Sequence, residues 1–204
     1  MPITSLFHTE IYSAKIDNPA LLKALKQECV YYCDKDTEGH QWSEKNYIGG
    51  YTSYGSLDKM HQISGTFAQL EKVLNRHVKN YAKKLQWDID AKKLRLQSLW
   101  INIMPAQVTH SWHLHPYSVI SGTYYVQTPK ACSAIKFEDP RWSNFMLSPM
   151  PAQQAKTFRQ RHHSIQPQAG SIVLFESWLK HEVPAHTADS ERISISFNYE
   201  WDRA

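Results

Sequence analysis

Three histidines are the residues of this chain best suited to chemistry. His113 and His115 stand one residue apart at the end of a segment that reads as a β-strand, where side chains i and i+2 point to the same face. A third, His181, closes a later segment that begins at Gly170. Imidazole is the commonest protein metal ligand near neutral pH, and three protein ligands leave coordination positions open for a reaction. The spacing therefore predicts a metal centre or, alternatively, a metal-free surface on which the same histidines hydrogen-bond the backbone.

An arginine follows this histidine set. Arg192 and Ser194 begin an alternating segment 11 residues after His181 (192 − 181 = 11), which is enough chain for a turn and a neighbouring antiparallel strand. Both residues face the same way in that strand. A planar guanidinium group pairs bidentately with carboxylates. We therefore interpret Arg192 as the anchor of a carboxylate ligand beside the metal rather than as a surface ion pair.

Further polar residues are candidates for the same site. His110 lies three residues before His113 and would replace one of the predicted ligands if the strand ended early. Either Tyr124 or Tyr125 can donate a hydrogen bond to a bound cosubstrate, because strand alternation places only one of them inward; of the two we assign Tyr124. Asn102 lies in mid-strand between apolar neighbours and is predicted to face the interior of the β part.

Composition excludes several classes of protein. The net charge is +4 with histidine neutral, and the basic residues are dispersed, which argues against a nucleic-acid partner. The three cysteines show no CxxC spacing, so they indicate neither a disulfide framework nor a zinc finger and favour a reducing compartment. The N-terminus lacks the pattern of a signal peptide, and no segment reaches the roughly 18 apolar residues of a membrane span. We therefore expect a cytoplasmic location and no membrane partner.

Two helices are predicted ahead of the histidine segments. Asp17-Asn18-Pro19 is a helix start, and apolar residues at helical spacing continue that helix to about residue 33. A second, strongly amphipathic helix covers about 62–86, where apolar residues recur at intervals of three and four. Residues 34–58 follow no regular period but contain several aromatic side chains. We expect an ordered loop there that covers the site.

From about residue 93 the period of the apolar residues changes to two. The strands predicted from this alternation are 94–104, 119–127, 134–137, 171–175 and 192–201, whereas residues 141–166 look irregular. No intervening helix is long enough for a parallel sheet. Helices followed by antiparallel strands predict an α+β, mainly β fold whose β part is a sandwich or jelly roll. We expect one domain over 1–204, with 1–92 as a helical and loop flank and 93–204 as the core.

Several motifs together resemble the 2-oxoglutarate/Fe(II) oxygenase family of bacteria and their phages, over about residues 95–200. The motifs are His113-x-His115-Pro116, Ser121-Gly122-Thr123-Tyr124-Tyr125, Phe137-Glu138-Asp139-Pro140-Arg141, Phe175-x-x-Trp178-Leu179-x-His181 and Arg192-x-Ser194-x-Ser196-Phe197-Asn198. The resemblance implies a double-stranded β-helix (jelly roll) with Fe(II) held by His113, His115 and His181. It also implies that Arg192, helped by Ser194, holds the distal carboxylate of 2-oxoglutarate. The wider superfamily carries an acidic residue where this chain has His115, so this metal centre lacks one negative charge.

Three functions are compatible with these residues. The first is an Fe(II)- and 2-oxoglutarate-dependent dioxygenase that uses O2 to hydroxylate or otherwise oxidise a substrate. The second is a three-histidine cupin-type metal oxygenase without 2-oxoglutarate, which explains the missing carboxylate but leaves Arg192-x-Ser194 without a role. The third is a metal-free β-sandwich binding module. The substrate has no recognisable code in the sequence, which leaves a small molecule, a peptide side chain and a nucleobase open. An exposed strand edge would allow a homodimer.

Overall fold

Two antiparallel sheets form the β part of the protein. The computed structural model describes residues 2–202, and its strands in chain order are β1 Tyr12–Lys15, β2 Tyr51–Thr52, β3 Leu94–Met104, β4 His110–His113, β5 Ile120–Gln127, β6 Ile135–Glu138, β7 His162–Ile165, β8 Ser171–Glu176, β9 His181–Val183 and β10 Arg192–Trp201. The larger sheet has the strand order β1-β8-β5-β10-β3-β2, and the smaller has the order β4-β9-β6-β7. This arrangement confirms the predicted α+β, mainly β jelly roll.

Strand β10 holds the larger sheet together. It pairs with β3 along its whole length, from Arg192 opposite Met104 to Trp201 opposite Leu94, with a register shift after Asn198. On its other side it pairs with β5. The bounds of β3 and β10 are those predicted from the alternation of their apolar residues. Because directly opposed residues point to the same face, the register places Arg192 and Ser194 on one face of the sheet together with Asn102.

Helices cover the other face of the larger sheet. They are α1 Pro19–Lys35, α3 Met60–Ile63 and α4 Gly65–Lys84. A fourth helix, α2 Thr37–Asn46, lies beside the edge strand β2, where the Ser43 hydroxyl accepts a hydrogen bond from the Thr52 N–H. The two long helices confirm the sequence prediction: the Asn18 side chain accepts a hydrogen bond from the Leu21 N–H at the start of α1, and Ser64 caps α4 in the same way. The apolar stripe of α4 is buried against the sheet and includes Phe67 and Leu70. This layer fixes one face of the larger sheet and leaves the opposite face for the site.

The segment 34–58 was predicted to lack regular structure, and this prediction is wrong for Thr37–Asn46, which form α2. The helix is fixed by Asp36, a buried residue whose carboxylate accepts three hydrogen bonds. The donors are the Gly39 N–H at 2.9 Å, the Tyr51 hydroxyl at 2.8 Å and the Ser56 hydroxyl at 2.5 Å. Asp36 therefore joins the start of α2 to the strand and turn that follow it.

The segment 141–166 also contains more order than its sequence indicates. His162–Ile165 form β7, the edge strand of the smaller sheet, and short 3-10 turns lie at Trp142–Asn144 and Thr157–Arg159. Strand β7 pairs with β6, where His163 is opposite Phe137. The insertion between β6 and β7 thus starts and ends on neighbouring strands and projects from one end of the smaller sheet.

The core has two layers, one on each face of the larger sheet. The helix-facing layer includes Tyr124, Ile195 and Phe197. The second layer lies between the two sheets and includes Tyr125 and Phe175. Across residues 2–202, no helix is long and apolar enough to cross a membrane. The layer between the sheets surrounds the three predicted metal ligands.

Candidate metal centre

The three predicted ligands come together between the sheets. Strands β4 and β9 pair with His113 opposite His181, so both side chains point to the same face. His115 lies two residues beyond β4, where its backbone N–H donates to the Ser177 carbonyl at 3.0 Å. One ligand atom from each histidine lies within 4.8 Å of the others. The HxH spacing and the distant His181 therefore produce the cluster that the sequence predicts.

Backbone carbonyls orient two of the three rings. The His113 Nδ1–H donates to the Ser111 carbonyl at 2.6 Å, and the His181 Nδ1–H donates to the Leu179 carbonyl at 2.9 Å. A proton fixed on Nδ1 leaves the lone pair on Nε2. A hydrogen bond from the other ring nitrogen to a backbone carbonyl holds metal-binding histidines in the correct tautomer and orientation. The geometry thus favours Nε2 as the metal-facing atom of both rings.

Burial keeps the three imidazoles neutral. Removal from water lowers the pKa of His115 to about 2 and that of His181 to about 3, and the nearby histidines add to both effects. The pKa of His113 is lowered by burial as well. A neutral imidazole has its lone pair free. The cluster can therefore accept a metal ion near neutral pH without first losing protons.

His110 lies beside this cluster but outside it. Its ring stacks on that of His113, with 4.2 Å between the ring centroids, and lies 5.3 Å from the ring of Tyr47. Among the described residues, the side chains close enough to share one metal ion are those of His113, His115 and His181. The alternative in which His110 replaces a ligand therefore finds no support, and His110 packs against a ligand instead.

Arg192 is buried close to the histidines without an acidic partner. Its side chain is 4% exposed, and the Nη1–H donates to the Ser194 hydroxyl at 3.2 Å. The guanidinium carbon lies 5.1 Å from the centroid of the Tyr125 ring. Its Nε–H is buried and has no hydrogen-bond partner. An unsatisfied donor on a buried cation is costly, so the site has the chemistry to accept a carboxylate.

A cavity of about 40 Å³ connects Arg192 with the three histidines. Asn102 and Ser194 line it, as predicted, and the Asn102 amide donates to the Ser196 hydroxyl at 2.9 Å. No aspartate or glutamate is among the residues that line this cavity. The electrostatic character of the cavity is therefore set by one cation and neutral polar groups.

The assignment of Tyr124 to the site is corrected by the strand's orientation. Tyr124 belongs to the helix-facing layer of the core, whereas Tyr125 belongs to the layer between the sheets and contacts Arg192. Tyr125 is therefore the inward residue of the pair. Tyr47 and Thr123 also line the cavity, although neither was predicted to belong to the site. The only sequence signal for Tyr47 was its place in an aromatic-rich segment. Thr123 lies two residues before Tyr125 on β5, so it points to the same face and could be found once Tyr125 is known to face the site.

The family comparison agrees with this geometry. Residues 98–198 match the model of a family described as "Putative 2OG-Fe(II) oxygenase". The matched segment runs from β3 to β10 and contains the three clustered histidines and Arg192. This part of the chain belongs to that family, which confirms the resemblance seen in the motifs. The protein is a 2-oxoglutarate-dependent oxygenase, with Fe(II) as its metal and 2-oxoglutarate as its cosubstrate.

Solved structures share the fold. A Pseudomonas putida prolyl-4-hydroxylase superposes with a TM-score of 0.62 at 16% identity, covering 95% of this chain and 94% of that one. The non-haem α-ketoglutarate-dependent epimerase SnoN from nogalamycin biosynthesis gives 0.65 at 13% identity, covering 94% and 78%. HygX from Streptomyces hygroscopicus, solved with nickel and 2-oxoglutarate bound, gives 0.61 at 10% identity, covering 96% and 84%. No curated protein sequence matches the chain significantly. At these identities the structural likeness establishes the jelly-roll fold alone.

Proposed function

We propose that His113, His115 and His181 hold the iron and that Arg192 binds the distal carboxylate of 2-oxoglutarate. The observation that carries this proposal is the buried, unpartnered Nε–H of Arg192 in the cavity that also contains the histidine cluster. A carboxylate at this position would complete the hydrogen bonding of the guanidinium group and neutralise its charge. The protein then oxidises a C–H bond of a substrate.

The donor set fits the metal. Imidazole nitrogens suit iron as well as other divalent transition metals, and burial keeps these three rings neutral. Three protein ligands leave coordination positions for the cosubstrate and O2. Iron held by these three histidines would supply the oxidising chemistry, which couples oxidation of a substrate by O2 to the conversion of 2-oxoglutarate into succinate and CO2.

The chain's own residues orient the cosubstrate and exclude water. Arg192 supplies the charge, and Ser194, which accepts a hydrogen bond from it, restricts the guanidinium group to one orientation. Tyr125 covers one face of that group. Asn102 and Thr123 supply further polar atoms, and the Thr123 hydroxyl is buried without a partner. These groups would hold an extended dicarboxylate between the anchor and the metal.

An anaerobic titration tests the proposal. Metal-free protein is titrated with Fe(II) and then with 2-oxoglutarate, and the visible charge-transfer band of the chelate is recorded. We expect His113→Ala to abolish the band and Arg192→Ala to raise the 2-oxoglutarate concentration needed to form it. His61→Ala, on α3, is the matched control because His61 is not among the residues that line the cavity. A wild-type protein that binds Fe(II) but gives no band with 2-oxoglutarate would refute the proposal.

The rival functions fit the chain less well. The three-histidine oxygenase without 2-oxoglutarate gives no role to the buried Arg192, and a metal-free module gives none to three neutral imidazoles that converge within 4.8 Å. The family match also favours the first function. A single domain over 1–204, a cytoplasmic location and a homodimer stay predictions from the sequence.

A further inference from the structure

A cleft of about 930 Å³ lies beside the smaller sheet. One wall is the N-terminal segment 3–11, and the other comes from β6, β7 and the insertion between them. Strand β6 ends at Glu138, and its residue Phe137 is directly opposite His181 of β9. The insertion therefore leaves the smaller sheet at the level of the metal centre, and the cleft opens at the same end of the jelly roll.

The inner wall of the cleft contacts a proposed metal ligand. Phe137 and Leu179 both line the cleft. The Phe137 ring centroid lies 5.8 Å from that of His181, and the Leu179 carbonyl accepts the hydrogen bond from His181 Nδ1. A molecule seated in the cleft is thus separated from the metal centre by one layer of side chains. This position suits a substrate whose reacting end reaches past that layer.

Apolar side chains provide most of the cleft surface around three arginines, of which Arg141 is paired with Asp139. Phe145 and Phe158 line it, and each lies under an arginine: the guanidinium carbon of Arg161 is 3.2 Å from the Phe145 ring centroid, and that of Arg159 is 5.4 Å from the Phe158 ring centroid. Arg161 is buried, and its Nη2–H donates to the Pro149 carbonyl at 3.3 Å. An aromatic ring beneath a guanidinium group holds it in place and leaves its N–H edge available.

The acidic groups of the cleft are already paired with other residues. Glu138 forms an ion pair with Lys180 at 3.0 Å, and Asp139 forms one with Arg141 at 2.8 Å. Within residues 2–202, no carboxylate lies within ion-pair distance of Arg159 or Arg161. Asp139, which is already paired with Arg141, is close enough for the charge of Arg161 to help lower its pKa. The cleft therefore presents two arginines that have no ion-pair partner of their own among the described residues, next to a metal centre whose three protein ligands carry no negative charge.

We propose that this cleft binds the substrate, and that the substrate is an anion: a carboxylate or phosphate attached to an apolar or aromatic body. Arg161 and Arg159 hold the anionic group, the aromatic side chains contact the body, and the far end of the body approaches the metal past Phe137. The proposal rests on the proposed function, because it assigns the substrate of the same metal centre. Carboxylate and phosphate share the recognition chemistry of the guanidinium fork.

The test uses matched probes on the anaerobic protein loaded with Fe(II) and saturating 2-oxoglutarate, so that Arg192 is occupied. The probes are 4-phenylbutyrate, 4-phenylbutyl phosphate and the neutral 4-phenylbutyramide, and calorimetry gives the dissociation constant of each. We expect one or both anions to bind at least about tenfold more tightly than the amide, which is equivalent to about 1.4 kcal/mol. The relative affinities of the two anions identify which group the cleft prefers.

Variants connect the preference to the cleft. Arg161→Gln and Arg159→Gln should each reduce the preference for the anion. Arg95→Gln is the matched control, because Arg95 is an exposed arginine at the start of β3 that pairs with Asp202. If Arg161→Gln fails to fold, Arg159→Gln, which alters an exposed side chain, still gives the test. Equal binding of acid and amide, or a preference that survives the substitutions, overturns the inference. The charge-transfer band in the same samples distinguishes a wrong substrate assignment from a wrong proposed function. If the band forms but the anions bind no more tightly than the amide, only the substrate assignment is refuted.

Discussion

Replacing Arg192 by methionine should change stability and cosubstrate affinity in opposite directions. Arg192 is a buried cation with one hydrogen bond, to Ser194, one cation–π contact, to Tyr125, and an Nε–H without a partner. Methionine has a similar length and fills irregular space without charge. The substitution therefore removes the cost of a buried, incompletely paired charge from the metal-free protein, and at the same time removes the partner of the cosubstrate carboxylate.

The sizes of both effects follow from these contacts. Taking a guanidinium group out of water costs several kcal/mol. The hydrogen bond to Ser194 returns about 1.5–3 kcal/mol, and the contact with Tyr125 returns up to about 2 kcal/mol. We expect metal-free Arg192→Met to be more stable than wild type by about 1–2 kcal/mol, inside the roughly 1–4 kcal/mol seen for apolar replacement of buried ionic groups. Loss of one partner of a buried charge pair costs about 2–5 kcal/mol of binding, so the 2-oxoglutarate dissociation constant should rise by roughly 30-fold to several thousand-fold.

Two measurements check this prediction on the same preparations. Urea unfolding of the metal-free proteins gives the free energy of unfolding, and anaerobic titration of the Fe(II) proteins gives the 2-oxoglutarate dissociation constant. Arg95→Met, at an exposed position, should change the free energy of unfolding by less than about 0.5 kcal/mol and leave the dissociation constant unchanged. An Arg192→Met protein that is less stable than wild type yet binds 2-oxoglutarate normally would show that Arg192 serves the fold and not the cosubstrate.

Three further predictions address the fold, the histidines and the inward tyrosine. Asp36→Ala removes three hydrogen bonds at the start of α2 and should lower the free energy of unfolding by about 2–4 kcal/mol, measured by urea unfolding; a loss below about 0.5 kcal/mol would contradict the role given to this carboxylate. Burial lowers the pKa of His115 to about 2 and that of His181 to about 3, so below about pH 6.5 the unfolded chain binds more protons than the folded protein. Metal-free protein should therefore have its full stability above pH 6.5, and its free energy of unfolding should fall by about 1 kcal/mol per histidine between pH 6.5 and 5.5. His115→Gln should make this fall smaller. A free energy of unfolding that does not change between these pH values would contradict the burial of neutral histidines. Tyr125→Phe should weaken 2-oxoglutarate binding severalfold in the anaerobic titration, whereas Tyr124→Phe, on the helix-facing side, should leave it unchanged; the reverse result would contradict the strand orientation.

The elements that the sequence predicts best are those whose patterns are local. β3 and β10 alternate over their full length, so their bounds follow from the period alone. Helix α1 begins at a capping Asn18 followed by proline. Strand parity also predicts that His113 and His115 converge, and they do. His115 lies two residues beyond β4, however, where its backbone N–H donates to the Ser177 carbonyl, a contact that the sequence does not indicate.

Helix α2 could not be predicted because its stabilising contacts are not local. Its one large apolar residue is Trp42, so it has no apolar stripe. The carboxylate that caps it, Asp36, receives two of its hydrogen bonds from Tyr51 and Ser56, which are 15 and 20 residues away. Tertiary contacts therefore override weak helix propensity in this segment.

The inward tyrosine was equally inaccessible to sequence analysis. Strand β5 is buried on both faces over Ile120–Val126, so its hydrophobicity does not distinguish the face toward the helices from the face toward the site. Only the pairing of Tyr125 with Ser194 of β10 shows which face is which. The cleft beside the smaller sheet depends on where the segment 3–11 lies, and no pattern in that segment indicates its position.

The proposed ligands and the proposed anchor belong to different sheets. His113 and His181 are carried by the smaller sheet, and Arg192 is carried by the larger one. A dicarboxylate bound at one end by Arg192 and at the other by the metal centre would connect the two sheets. Separating the sheets would then require one of these two contacts to break. A cosubstrate bound in this way would join the two sheets, so the loaded protein should resist their separation more strongly than the empty protein does.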